Sequence, residues 1–508
     1  MKKNVYTLIA GTLVLAGLSS CNEWLEVYPQ NNQVSDYYWS NKEEVDATLN
    51  GCYYYYREMV TTELIPLGEL RAGQLVSRGS YSSLQQMRIK ETDAIANWGA
   101  FYEVINVANG VLANASGVLE VDQTYDENRL NAHLAEAYFL RALTYFYLVR
   151  NWKDVPLVLT PFESDLQDYM IPQSTEAEVI AQIKADIEAA LATGAAKEFY
   201  EKEWETKGRA TKWAMYALMA DVCLWNGDYA ECETYCDYIL KSSSSYAPTF
   251  LSTATNSSWF SIFNPGNSNE SILELQWDEE EEQLNTLPIL FSDNLSGRMY
   301  YFSARMTQNF ADEVENTRSV PTNEKVRSEY GTYYCNGPIS TATQSFAWKY
   351  VGSPTKTQER TEDAYDPNFI LYRVAEVILM KAEALVMQGE GRWDEALALV
   401  NEIRTRANVN EVTVSPVNEG NLLEAILDER TMELAAEGKA WYDMLRMGRR
   451  DNFKYKERFI VGRLLDYNTQ STTSWFKSVL SDNNSLFLPV WDTELENNSK
   501  LVQNPFYE

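Results

Sequence analysis

One histidine, six cysteines and 73 acidic residues bound the chemistry that this 508-residue chain can attempt. Any Ser-His-Asp or Cys-His arrangement would have to use His133. That residue lies in the amphipathic run NAHLAEAYFLRALTYFYLVRNW, where an ordinary surface or packing role suits it better. Zinc-protease spacings and glycine-rich phosphate loops are absent. Cys232 and Cys236, four residues apart, share one helix face and make half of a metal site. No second half is near in sequence, so the expectation is two small packing residues, no metal and no cofactor. Glycoside hydrolysis needs two carboxylates roughly 5–9.5 Å apart, and Glu376, Glu383, Glu429, Glu433 and Glu437 are available. They lie in helical stretches alongside Arg373, Arg404, Arg406, Arg430 and Arg446, and opposite charges three or four residues apart favour ion pairs. Asp278–Gln283 (DEEEEQ) reads as a solvated loop able to attract cations.

The acids outnumber the 43 Lys and Arg, giving a formal net charge of −30. That sign repels nucleic-acid phosphates and argues against such a partner. Lys2 and Lys3 precede an apolar stretch from Val5 to Leu18, with Ser19 and Ser20 before Cys21, the order of a secretory leader. The stretch is short for a membrane span, which takes roughly 20 apolar residues, and no later stretch reads as one. Leu18-Ser-Ser-Cys21 resembles a bacterial lipobox, which makes 1–20 a signal peptide and Cys21 the lipid-bearing start of the mature chain. Several acyl chains on one residue hold a soluble protein stably at a membrane. Without Lys2 and Lys3 the basic count is 41 against 73 acids, a net of −32. The five remaining cysteines, Cys52, Cys223, Cys232, Cys236 and Cys335, cannot all pair.

The elements that must position these residues are mostly helices. After a tether at 21–41, residues 42–245 show helical periodicity, as in WGAFYEVINVANGVL (98–112) and AEAYFLRALTYFYLV (135–149). Thr175 supplies a cap before EAEVIAQIKADIEAAL. GRATKWAMYALMADVCLWNGDYAECETYCDYIL (208–240) and LYRVAEVILMKAEALVMQGEGRWDEALALVNEIRTRA (371–407) echo each other as helix, turn, helix. Aligning Tyr229 with Trp393 pairs Cys232 with Ala396 and Cys236 with Val400, a pattern that resembles tetratricopeptide units. Between the copies lies 246–365, rich in Ser, Thr, Asn, Gly and Pro, with little sustained helical period. Long insertions of this kind are often functional. Trp277, Tyr300, Tyr301, Tyr333, Tyr334, Trp348 and Tyr350 occupy its loop-like stretches. Helical pattern returns at 366–447, and 448–508 reads as irregular. The four tyrosines at 53–56 point in four directions on a helix, so packing explains most of them.

An ordered set of segments resembles the SusD/RagB family of nutrient-binding outer-membrane lipoproteins. It comprises WLEVYPQNNQVSDYYWSNKEEVDATLNGCY, AEAYFLRALTYFYLV with VPLV, GRATKWAMYALMADVCL, LYRVAEVILMKAEAL, VNEIRTRA, DERTMELAAEGKAWYDMLRMG and LPVWDTELENNSKLVQNPFY. Trp152-Lys153 departs from the family's frequent aromatic–glycine pair, and Val490-Trp491 from its Ile-Pro. The resemblance implies a mainly α, SusD-like fold over 21–508, with tetratricopeptide-type helix pairs and a loop-rich ligand-binding insert. It also implies cell-surface exposure on the outer membrane, a SusC-like TonB-dependent transporter as partner, and glycan capture without catalysis. Glu23 resembles the acidic signal for surface export, and Trp24, Leu25 and Tyr28 would lie along the body or the transporter. A pyranose stacks its C–H face on Trp or Tyr and offers hydroxyls to planar polar groups. The ligand-facing candidates are therefore Trp98, where family members place such a tryptophan, Arg71, Arg78 and Tyr81 in GELRAGQLVSRGSYSS, and Trp277, Tyr300, Tyr301, Trp348 and Tyr350. Packing or solvation competes at each. Rival readings are peptide capture, a surface glycosidase and a protein-binding scaffold.

Overall fold

The computed structural model describes residues 38–79, 81–163, 167–252, 255–292, 299–315, 327, 342, 344–353, 358–361 and 366–508. Cys21, Glu23, Trp24, Leu25, Tyr28, Tyr333, Tyr334 and Cys335 lie outside the described residues. Helices dominate, as the periodicity implies.

Capping chemistry fixes where the helices start and stop. The helix α1 (Lys42–Met59) opens at Asn41, whose side chain accepts from the Glu44 N–H. Glu43 and Glu44 face its positive end and Arg57 its negative end. Two π-helical turns, Val60–Leu64 and Pro66–Leu70, continue it. The helix α2 (Gly99–Val121) is wedged between α1 and α3 (Glu127–Trp152). With the turn before it, α2 is long and apolar enough to cross a membrane, contrary to the sequence reading, yet Phe101, Val104, Ile105 and Val111 face the core. Lys153 ends α3 at φ 71°, a left-handed value that glycine adopts without steric cost. The family's frequent glycine there has that physical reason. The helix α4 (Glu176–Ala192) starts on a reciprocal capping box of Thr175 and Glu178. The helix α5 (Lys212–Asn226) stops at Gly227, φ 90°, and α6 (Tyr229–Leu240) turns back along it.

The insert leaves and returns at one place. Strand β2 (Ser271–Leu275) pairs antiparallel with β4 (Phe369–Arg373), Ser271 opposite Arg373 and Leu275 opposite Phe369. Between them, β3 (Tyr300–Phe302) pairs with β1 (Leu75–Ser77), Val76 opposite Tyr301, and so ties the insert to the segment after α1. The insert also holds a 12-residue helix, α7 (Ala304–Glu315), whose Met306 and Phe310 are buried. This differs from the loop-rich expectation: the apolar positions recur every four residues but span only three turns. Nor is the tail irregular. It carries helical turns at Glu457–Val461, Gly462–Tyr467, Thr473–Val479 and Asp492–Asn497.

Past the insert come α8 (Val374–Met387), α9 (Trp393–Arg406), α10 (Glu419–Glu433) and α11 (Ala440–Gly448). The helix α6 packs directly on α8, and α8 on α9 and α10. The two helical echoes are therefore neighbours, and the stack runs past the insertion without a break. Cys232, Cys236, Ala396 and Val400 are all buried, so the aligned positions pack alike. Small side chains there let paired helices approach.

Candidate ligand-binding face

Five of the nine ligand-facing candidates are buried, and each has a packing reason. Arg71 does not lie in a surface loop, because the π-helical turn Pro66–Leu70 carries the chain inward. Its guanidinium sits 4.2 Å from the Trp441 ring centroid and donates to the Leu486 carbonyl at 2.9 Å. Burial lowers its pKa to about 10. Trp98 precedes the first turn of α2 and meets Tyr102 and Trp152 edge-on at 5.8 and 5.9 Å. Trp348 and Tyr350 share one buried turn. Tyr350 stacks between Phe291 and Phe369 and donates to the Ala436 carbonyl at 2.9 Å. Tyr300 points inward because β3 alternates: Tyr300 and Phe302 are buried and Tyr301 between them is half-exposed.

Arg78, Tyr81, Trp277 and Tyr301 stay accessible. The Arg78 guanidinium lies 5.2 Å from the Tyr301 ring centroid and donates to Gln344 Oε1 at 2.8 Å. Trp277 belongs to a second such pair that sequence reasoning missed. Arg57 lies 5.8 Å from the Trp277 ring and 5.6 Å from the Tyr54 ring. Its Nη1 donates to the Gln276 carbonyl at 3.1 Å and to Gln283 Oε1 at 2.5 Å. Tyr54 is 51% exposed and Tyr56 fully buried, so the tyrosine run divides by helical phase. The i, i+3 spacing of Tyr54 and Arg57 is the signal that would have found this pair.

Thr61, four residues after Arg57, links Thr286 to Tyr81. Its hydroxyl meets that of Thr286 at 3.4 Å, and its carbonyl accepts from the Tyr81 hydroxyl at 3.3 Å. Tyr81 holds a left-handed backbone, φ 66°. Glu63 lies nearby, where burial raises its carboxyl to about 7 and Oε2 is enclosed without a hydrogen-bond partner. The face thus combines three accessible rings and Tyr81 with two guanidinia and two amides. That set can stack on apolar ring faces and meet hydroxyls; it holds no nucleophile–base pair.

The five helical acids are committed elsewhere. Glu433 meets Arg373 at 2.7 Å, Arg327 at 2.9 Å and Arg406; Glu437 meets Arg373 at 2.9 Å and Lys349 at 2.7 Å. Glu429 meets Arg327 and Arg404, Glu376 meets Arg430, and Glu383 meets Arg446 and Arg450. The pairing expected from sequence is present, but these partners come from different elements rather than from neighbouring turns. Burial alone would raise the Glu433 carboxyl; Arg406, Arg373 and Arg327 outweigh it and hold it at about 2. A general acid needs the opposite shift.

His133 is held neutral, chiefly by burial, with its pKa lowered to about 4. Its Nδ1 lies 3.0 Å from the Tyr125 hydroxyl. Burial drives the Cys232 thiol well above its ordinary range, which disfavours the thiolate a metal needs. Cys223, Asp228 and Glu231 converge, but the Lys184 ammonium already sits 3.0 Å from Asp228 and 2.5 Å from Glu231. That charge answers the acids without an ion.

Comparison with known proteins places this arrangement. A sequence profile described as the SusD family matches residues 206–507. The chain belongs to the SusD family. A second SusD-like profile, described as starch-binding and associating with the outer membrane, matches residues 23–224. SusD-like protein P38 of Formosa agariphila is 26% identical, with 99% of both chains covered. Among solved structures, a SusD superfamily protein from Bacteroides vulgatus superposes with a TM-score of 0.74 at 19% identity, covering 92% of this chain and all of that one. A laminarin-binding SusD-like protein gives 0.68 at 21% identity over 92% and 99% of the two chains. The SusD fold and the outer-membrane, carbohydrate-binding character of the family follow from these matches.

Proposed function

We propose that this SusD-family protein captures oligosaccharide, without catalysis, on the face formed by Tyr54, Arg57, Trp277, Tyr81, Arg78 and Tyr301. It then passes the ligand to a SusC-like TonB-dependent transporter. The reading is carried by one observation: accessible aromatic rings each lie beside a guanidinium that is anchored by an amide. Stacking surface and hydroxyl-binding groups are then side by side. The laminarin-binding structural neighbour supports the glycan over a peptide. Lipid on Cys21 tethers the protein to the cell surface.

Titration calorimetry of the mature chain from residue 22 against soluble polysaccharides, oligosaccharides and peptides tests the capture role. Saturable heat with one glycan family and no product over hours is expected. Binding to peptides alone, or slow release of shortened sugars, would overturn it. Trp277→Ala and Tyr301→Ala should each weaken binding by about 1–3 kcal/mol, on the scale of base stacking on aromatic side chains. Unchanged affinity in both folded variants would remove the face from consideration. Cys21→Ala should move the protein from the membrane fraction to the soluble fraction of cells; retention there would refute the lipid anchor.

A further inference from the structure

We infer that this face admits uncharged glycans and turns away polyanionic ones such as uronates and sulfated sugars. The inference rests on the glycan-capture reading above and adds its charge class. The accessible cations of the face are already engaged. Arg57 is bonded to Gln276 and Gln283, and Arg78 to Gln344. Both guanidinia also lie against rings, so part of each one's donor set and one of its faces are already committed.

Among the described residues the accessible anions have no such partners. Trp277 runs straight into Asp278, Glu279, Glu280, Glu281 and Glu282, five consecutive exposed acids. Asp278 and Gln283 bridge to close this turn, and Gln283 is the residue that holds Arg57. Among the described residues the turn's carboxylates form no ion pair, and their one side-chain hydrogen bond is Asp278 Oδ1 accepting from the Glu280 N–H. The turn sets the potential at the Trp277 end of the platform, and discrimination comes from like-charge repulsion. At physiological salt the screening length is about 8 Å, so sugars stacked on Trp277 lie within range.

The test pairs each of three neutral polysaccharides (laminarin, amylopectin and galactomannan) with its own derivative oxidised at C6 to the carboxylate. Linkage is then constant and charge alone changes. For the pair whose neutral member binds, the carboxylated form should bind at least about ten-fold more weakly at 150 mM salt, and the gap should narrow as salt rises. A variant carrying D278N, E279Q, E280Q, E281Q and E282Q should keep the neutral affinity and lose most of the gap. Persistence of its original discrimination would overturn the role of the turn, since that variant still has a net charge of −25 from the native −30. A carboxylated polymer that binds as tightly as its parent would overturn the charge class while leaving glycan capture standing. Binding of no polysaccharide in either form would overturn glycan capture, and the charge class with it.

Discussion

Arg373→Ala should lower the stability of the folded protein by about 3–5 kcal/mol, the range for breaking a buried ion pair from one side. Arg373 is fully buried at the end of β4 and meets Glu270, Glu433 and Glu437 at 3.0, 2.7 and 2.9 Å. It also donates to the Glu433 carbonyl at 2.6 Å. Five cations, Arg327, Lys349, Arg373, Arg404 and Arg406, here balance five acids, Glu270, Glu313, Glu429, Glu433 and Glu437. Removing one cation leaves an excess carboxylate with no water to solvate it. Arg373→Lys should cost less, because the charge survives although the forked geometry does not. Urea unfolding of both variants measures the difference; a midpoint for Arg373→Ala equal to wild type would refute the structural role. The pH dependence has a definite sign. Glu433 titrates at about 2 in the fold against an ordinary 4.5, so its stabilisation is complete above 4.5 and is lost as pH falls toward 2. The gap between Arg373→Ala and wild type should shrink across that window.

Gly68→Ala should cost about 2–4 kcal/mol, combining overpacking with a displaced buried acid. A Cβ at Gly68 would stand 2.2 Å from the Gly438 carbonyl oxygen and 2.4 Å from its carbon. Both are backbone atoms, so no side-chain rotation relieves the clash. Moving the segments apart breaks the bonds by which Glu69 Oε1 accepts from the Gly438 and Lys439 N–H groups at 2.8 and 3.1 Å. Those bonds hold the π-helical end of α1 against the start of α11. Gly117→Ala is the internal control. It lies in the exposed face of α2 with nothing within 4 Å of the added carbon, and should stabilise by about 0.5–1 kcal/mol. Equal thermal midpoints for the two variants would show that the close approach is unimportant.

Much of the fold was legible because its signals are local. Thr175 followed by Glu178, and Gly227 after α5, mark helix ends through bonds made within a few residues. The alignment of Tyr229 with Trp393 found the paired small positions, since a repeat must solve the same packing problem twice. The helix α7 escaped notice because three turns amid polar residues give too short a pattern to stand out. The burial of Trp348, Tyr350 and Arg71 is not legible for another reason: residue type and loop-like surroundings do not state which side of a chain faces the core. Tyr300 and Tyr301 show the difference within one dipeptide, since the β3 pairing with β1 turns one ring inward and leaves the other accessible.

By itself, the sequence determined the helical class, the repeat, the family, the candidate lipid cysteine and the scarcity of catalytic groups. All of these depend on residue type, short-range periodicity or ordered motifs. Only the tertiary structure decided which candidates share a face and where the helical acids find their counter-charges. Arg57 meets Trp277, and Arg373 meets Glu433, across long stretches of chain. Such pairs form because folding buries the surfaces between them, and no local spacing encodes that burial.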